Sequence, residues 1–275
     1  MKDIINLVDF LWFKLKRNFN LKDEQSLKYQ IRRHIHFLEK SKPEDSRYLY
    51  KFLKARNLYN KGRNKNILSK NEIKWCERVL YGKSTSSKEE KNKYSSEERK
   101  KIDKFIKNRR SIRQSWKKEP LTRKDFESLI EIARWAPSAC NRQPWNFILT
   151  IEKKKIELLA DQRGKWIEDA PSCILVSMDL AAYKEVESTY TPYLDAGSII
   201  QTLLLKAEAM GYGTCWVNFG KKEVDDKDRK KIRDEFSLPE RLKIISIIPI
   251  GRYDKKPKAP SRKDTSSMIY LERYD

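Results

Sequence analysis

The chain of 275 residues is 39% hydrophobic and 11% aromatic, which is enough apolar material to bury a substantial core and excludes a disordered chain. Its 61 Lys and Arg against 39 Asp and Glu give a net charge of +22, which raises the question of an acidic partner such as nucleic acid or an anionic membrane. We favour general lysine richness over nucleic-acid binding by roughly two to one, because no recognisable nucleic-acid module accompanies the charge.

The cysteines and the apolar segments predict a cytoplasmic protein. The 4 cysteines lie far apart, with no CxxC pair and no histidine cluster, so reduced thiols are expected and a zinc site is not. No segment approaches the roughly 18 uninterrupted apolar residues of a membrane-spanning helix. The run 4–13 makes a poor signal peptide, since it lacks a small-residue cleavage site. Its helical spacing favours packing on the protein's own core or on a partner subunit over lying on a membrane.

Residues 1–82 are expected to form a small helical region. Helical periodicity is clearest over 29–38 and 48–58, and no convincing strand is present. The only two histidines, His34 and His36, stand two residues apart. On a helix this spacing puts them on different faces, so a shared metal ion is not expected.

A polar run over 83–101 has no buried face and indicates a linker or the solvated start of a helix. It separates the helical region from a second unit, 102–275, in which helical and strand patterns alternate. Long helices interleaved with a few strands predict an α+β sandwich. Helices are expected from Thr122 and over 153–162, 192–210 and 221–236, and strands over 145–151, 173–178, 214–219 and 242–250.

Two short motifs lie between residues 108 and 147, separated by one helix-length segment. The second, 136–145, offers amide and hydroxyl groups that can form hydrogen bonds with a ligand. The first can clamp a phosphate, because an Arg side chain presents a planar fork of donors that fits phosphate oxygens. Its candidate residues are Arg109, Arg110, Ser111 and Arg113.

These motifs resemble those of the FMN-binding oxidoreductases of the nitroreductase family, and the resemblance covers residues 105–275 in order. It implies a nitroreductase-like three-layer α/β/α sandwich with a mixed, mainly antiparallel sheet, preceded by the small helical region. It also implies a homodimer with FMN at the interface. The N-terminal extension of about a hundred residues is longer than expected before the first motif of a minimal member.

The resemblance implies FMN contacts in four segments. The first motif would hold the phosphate, the ribityl chain and the pyrimidine edge, and the second would reach across the dimer interface to cover the flavin. The backbone after Gly211 and Gly213 would approach the ring, and a last phosphate contact would lie near the C-terminus. Beyond the first motif, the candidate residues are Pro137, Ser138, Ala139, Asn141 and Gln143, with Trp145 in support; Thr214, Cys215 and Trp216; and Arg262, with Lys263 next.

Each segment also has a structural alternative. An Arg-rich segment is often only solvated surface. The second motif could be a Pro-bounded turn, and the two glycines could end a helix.

The implied reaction is hydride transfer from NADH or NADPH through flavin N5 to an electron-poor acceptor, such as a nitro, quinone or related conjugated compound, by ping-pong kinetics. No catalytic side chain and no metal are needed, and Arg113 or Arg110 could stabilise charge on the reduced ring. One alternative is a dedicated biosynthetic flavoenzyme whose helical extension binds a specific substrate or partner. The other, ranked last, is a basic module in which residues 1–100 hold nucleic acid or a membrane surface.

Overall fold

The computed structural model describes residues 24–42, 44–82, 94–161, 164–183, 185–219 and 226–273. The predicted helical stripe at the start of the chain lies outside these residues. Among the residues described, no helix combines the length and hydropathy needed to cross a membrane. The same residues include no group of three or more His, Cys, Asp or Glu side chains that could hold a metal ion.

Three helices at the N-terminal end share a core of their own, built from apolar side chains such as Ile31, Ile35, Leu58 and Cys76. Both helices predicted there are confirmed. The third begins with a capping box, in which side chains of its first turn satisfy backbone donors that the helix leaves unpaired. The helices are α1 (Glu24–Glu39), α2 (Tyr48–Asn64) and α3 (Lys70–Tyr81).

Helix α4 (Ser96–Asn108) follows and also begins with a capping box, formed by Ser95 and Glu98. It has no buried residue. The end of the predicted polar run 83–101 is therefore the solvated start of a helix, while residues 83–93 lie outside the described part of the chain.

A five-stranded sheet forms the centre of the second unit, and all pairings between its strands are antiparallel. Strand β2 is buried along its whole length, and five of its eight residues are apolar. The strand order is β1-β2-β5-β3, with β4 also pairing β5. The strands are β1 (Trp145–Thr150), β2 (Ser172–Asp179), β3 (Gly213–Thr214), β4 (Val217–Asn218) and β5 (Leu242–Gly251).

Helices cover both faces of this sheet and create two cores, as the predicted sandwich requires. Side chains of α5 and α7 pack with alternate residues of β2 and β5 on one face. Side chains of α6, together with Ile232 of α8, pack on the other face. The helices are α5 (Arg123–Ala133), α6 (Lys153–Asp161), α7 (Thr191–Ala209) and α8 (Asp226–Glu235).

The strand predicted over 214–219 is wrong as a single element, because the structure divides it into β3 and β4. Thr214 pairs with Ile250 and Val217 with Ile247, so the register continues across the break. In that register Pro249 lies opposite Cys215. Proline has no N–H to donate, so the ladder is interrupted at this point.

Candidate active site

The first arginine motif leaves α4 in an extended conformation and joins the edge of the sheet. The helix ends at Asn108, and Arg109 has φ −60° and ψ 135°. Ser111 forms a parallel bridge with Thr214, and the backbone N–H of Ile112 donates to the Thr214 carbonyl at 2.9 Å. The motif is thereby brought beside the predicted segment 214–216, although about a hundred residues separate them in the chain.

The three guanidinium groups of this motif make no ion pair with a carboxylate in the described part of the chain. Arg110 donates to the backbone carbonyls of Lys107 and Arg109. The Arg113 guanidinium lies 5.8 Å from the centre of the Trp166 ring. Three neighbouring positive charges without an internal counter-charge form a site suited to a phosphate or another anion.

Cys215 is the buried centre of this group. Burial raises the pKa of its thiol above the ordinary value, while the Arg113 charge, hydrogen bonding with Ser111 and Arg113, and the Arg109 charge act in the opposite direction. Arg109, Ser111 and Arg113 of the first motif therefore lie around Cys215, which belongs to a distant segment. The neighbouring Trp216 is 41% exposed, and its ring approaches Gly197 on α7 so closely that an added Cβ there would lie 3.7 Å from it.

The second motif forms a tight loop, 137–143, that is held by its own polar groups. The Ser138 hydroxyl accepts the Gln143 N–H at 3.0 Å, and the Gln143 side-chain amide donates to Asn141 Oδ1 at 2.9 Å. Cys140, Asn141 and Gln143 have φ values of 54°, 52° and 54°. Each of these three residues lies in the left-handed region, which side chains other than glycine adopt at a cost.

A buried carboxylate on α7 anchors this loop. Asp195 is 5% exposed and accepts the Ala139 N–H and the Tyr183 hydroxyl, each at 2.8 Å. Burial raises the pKa of the Asp195 carboxyl, although both donors and the Arg142 charge oppose this effect. Arg142 is itself buried, and its Nη2 lies 2.9 Å from Glu187 Oε2.

The comparison with protein families decides the classification. The sequence model described as "Nitroreductase family" matches residues 106–167 and 157–252, which is more than half of the chain. This protein belongs to the nitroreductase family. The predicted family and the nitroreductase-like fold are both confirmed, and the helical region α1–α3 lies before the matched residues.

Similar proteins support the assignment to this family. A protein of Methanothermobacter thermautotrophicus is 29% identical over 171 residues, which are 62% of this chain and 85% of the relative. An "FMN reductase [NAD(P)H]" of Bacillus subtilis is 26% identical over 193 residues, which cover 62% of this chain and 75% of the relative. The solved structure of an FMN-dependent nitroreductase from Clostridium difficile R20291 superposes with a TM-score of 0.54 at 26% identity, over 62% of this chain and 98% of that one.

The predicted site residues lie in two separate groups. Segments 109–113 and 214–216 meet at Cys215, whereas 137–143 is held on Asp195. Among the described residues, no hydrogen bond or ion pair joins the two groups. Arg262 and Lys263 are exposed, and Arg262 donates to the neighbouring Ser261 carbonyl; neither is hydrogen-bonded to the first motif in the described chain.

Sequence reasoning missed the residues that support the loop, namely Asp195, Tyr183 and Arg142. Asp195 could have been noticed in the sequence, because it places a carboxylate on the buried face of α7, beside Pro192 and Ala196. A charge at such a position needs a buried partner. The identity of that partner could not be read from one sequence.

Proposed function

We propose that this protein is an FMN-dependent oxidoreductase that uses NADH or NADPH to reduce an electron-poor acceptor such as a nitro or quinone compound. FMN held by these residues would supply the two-electron chemistry between the nicotinamide and the acceptor, in a ping-pong order. The side chains of this protein are assigned to binding and electrostatics, and none is assigned to nucleophilic or acid–base catalysis.

The observation that carries this proposal is the arginine motif beside Cys215, whose guanidiniums make no ion pair with a carboxylate among the described residues. Arg109, Arg110 and Arg113 offer donors and charge that fit the dianionic phosphate of FMN, and Ser111 adds a hydroxyl. The names of the relatives from Bacillus subtilis and Clostridium difficile include FMN, which supports the same cofactor. We also assign Arg262 and Lys263, which are exposed, to this phosphate site.

Flavin titration tests the proposal. Purified protein, stripped of any bound flavin, is expected to bind FMN and to show a visible flavin absorption band that bleaches when NADH or NADPH is added without oxygen. The double variant Arg113→Ala with Arg262→Ala is expected to release FMN while leaving the fold intact. A matched double variant on α2, Arg56→Ala with Arg63→Ala, removes the same charge elsewhere and is expected to retain FMN. Failure of the unmodified protein to bind FMN would refute the proposed function.

We further propose that the working unit is a homodimer in which one copy's loop 137–143 covers the flavin held by the other copy's arginine motif. Among the described residues of one chain, no hydrogen bond or ion pair joins the loop and the motif. Helix α4, which leads directly into the motif, exposes Ile102 at 40% and Ile106 at 49%. A second copy is the occupant suited to this apolar stripe, because it would also bring its own loop to the motif.

Light scattering tests the dimer. The variant Ile102→Glu with Ile106→Glu is expected to be monomeric and to lose FMN. Leu49 and Leu53, which are 67% and 52% exposed, form an exposed pair at the same spacing on α2, so Leu49→Glu with Leu53→Glu is the matched control. A monomeric unmodified protein that retains FMN would exclude the interface site.

The second candidate is a dedicated biosynthetic flavoenzyme of the same fold, whose helical region binds a specific substrate or partner. It is supported by the position of α1–α3, which precede the family match, although α1 packs on the loop 137–143. A panel of nitro and quinone acceptors distinguishes the two candidates. Turnover of many acceptors supports the general reductase, whereas flavin reduction without turnover of any supports the dedicated enzyme.

A further inference from the structure

Helix α1 lies against two turns that belong to the family-matched part of the chain. One turn is Ala139–Asn141 in the loop 137–143, and the other is Leu180–Ala182 at the end of β2. Arg32 on α1 donates from Nη1 to the carbonyl of Arg142 at 3.4 Å. The helical region therefore touches the same loop to which the proposed function assigns the covering of the flavin.

Arg32 is held in place from the opposite side by α3. Its Nε and Nη2 both donate to Glu72 Oε1, at 3.0 and 2.6 Å. The other oxygen of Glu72 accepts the Ser69 N–H at 2.9 Å in the capping box of α3. Two nitrogens of the guanidinium are thus fixed on the helical region and the third reaches the loop, which is possible because Arg presents its donors in a rigid fork.

Tyr29, one turn before Arg32, makes the second connection. Its buried hydroxyl donates to Asp179 Oδ2 at 3.1 Å. Asp179 Oδ1 accepts the Ala181 N–H at 3.0 Å and so fixes the turn that follows β2. Tyr183 at the end of that turn donates to Asp195, the anchor of the loop. The contact from Tyr29 therefore reaches the loop through hydrogen bonds at both ends of the short backbone segment 181–183.

The loop needs such support because it is strained. Cys140, Asn141 and Gln143 all have positive φ, and non-glycine residues persist in that region only where surrounding contacts determine them. The Arg142 side chain is 2% exposed and contacts Tyr183 as well as Glu187. Release of any one support lets the loop relax toward an unstrained backbone.

We propose that the helical region α1–α3 is a positioning element for the loop 137–143, with Arg32 as the positioning residue that transmits its hold. The consequence for FMN rests on the proposed function, whereas the hold on the loop does not. Removal of the Arg32 contact raises the mobility of the loop backbone and weakens FMN binding without changing any residue of the arginine motif.

Hydrogen–deuterium exchange on the full-length protein, free of flavin, tests the hold directly. The amides of Ala139, Asn141, Arg142 and Gln143 are all hydrogen-bonded in the structure. In Arg32→Ala their exchange is expected to be roughly three- to tenfold faster, as for the loss of one net hydrogen bond. FMN affinity, measured by quenching of flavin fluorescence, is expected to fall by a similar factor.

Arg78→Ala is the matched control. Arg78 also joins α3 to α1, through Glu39 at 3.0 Å, but it has no contact with the loop among the described residues. It is expected to leave both loop exchange and FMN affinity unchanged. Amides of α1 and α3, followed in the same experiment, report whether the helical region stays folded in Arg32→Ala. If the helical region opens, Tyr29→Phe is used in place of Arg32→Ala, since this change removes one hydroxyl and keeps the ring buried.

Each result decides the inference. Faster loop exchange and weaker FMN binding in Arg32→Ala, or in Tyr29→Phe, with a normal Arg78→Ala, support it. Unchanged loop exchange in a folded variant overturns the positioning role, and so does an equal effect in Arg78→Ala. Faster exchange with unchanged FMN affinity overturns the link to the cofactor. If the unmodified protein binds no FMN, the proposed function fails, and the exchange rates alone then decide whether the helical region holds the loop.

Discussion

Replacement of Asp195 gives the sharpest test of how the loop 137–143 is held. The carboxylate is 5% exposed and accepts two donors, the Ala139 N–H and the Tyr183 hydroxyl, each at 2.8 Å. Asp195→Ala leaves both donors unpaired away from water, and each such loss costs about 1 to 3 kcal/mol. We therefore expect Asp195→Ala to lower the free energy of unfolding by about 2 to 6 kcal/mol.

Asp195→Asn keeps the shape of the side chain and an acceptor for the Ala139 N–H. Its expected loss at neutral pH is about 1 kcal/mol, since only the Tyr183 hydroxyl must change its role. Urea unfolding followed by tryptophan fluorescence measures both variants against the unmodified protein. An Asp195→Ala protein with the unmodified urea midpoint would show that the loop is held by other contacts, and the assignment of Asp195 as its anchor would be wrong.

A comparison of Asp195→Asn with the unmodified protein tests the effect of burial on the pKa of the Asp195 carboxyl. Burial raises its pKa in the folded protein above the unfolded value of about 3.9. The protonated carboxyl therefore contributes to the free energy of unfolding. This contribution is complete below the unfolded pKa and is lost as the pH rises through the folded pKa. Asp195→Asn lacks this titration. Its stability relative to the unmodified protein should therefore improve as the pH rises from about 4, and the opposite trend would contradict a raised pKa.

Three further changes test the site. Asn141→Ala is expected to weaken FMN binding about tenfold by removing a polar contact of the covering loop, and full occupancy with an unaltered flavin spectrum would count against that role. Gly213→Ala is expected to cost about 1 to 3 kcal/mol in urea unfolding, because the new Cβ would lie 2.6 Å from side-chain atoms of Ile112 and Tyr253; a neutral result would mean that these neighbours can move. Cys215 is expected to resist iodoacetamide in the native protein at pH 7, because its thiol is buried and its pKa is raised, and labelling as fast as in urea would disprove this burial.

The local elements were predictable because each depends on residues close in the chain. Apolar spacing located α7 within one residue at each end, and it identified α1 and α2, which extend five and six residues beyond the predicted segments at one end. Mainly apolar runs located β2 and β5. The division of the predicted strand 214–219 was not predictable, because Pro249 acts on Cys215 from a neighbouring strand. Which residues lie opposite each other is decided only when the sheet forms.

Some properties of the candidate site were likewise predictable from the sequence, and others were not. The sequence alone determined the family, through the order of its motifs, and the chemical character of a phosphate-binding segment, since charge and donor geometry belong to Arg109 and its neighbours themselves. Only the tertiary structure decided which groups meet. The Ala139–Asp195, Arg32–Arg142 and Tyr29–Asp179 hydrogen bonds join residues 56, 110 and 150 positions apart. Such contacts leave no local pattern, because their partners are chosen by the packing of helices on the sheet and on the loop.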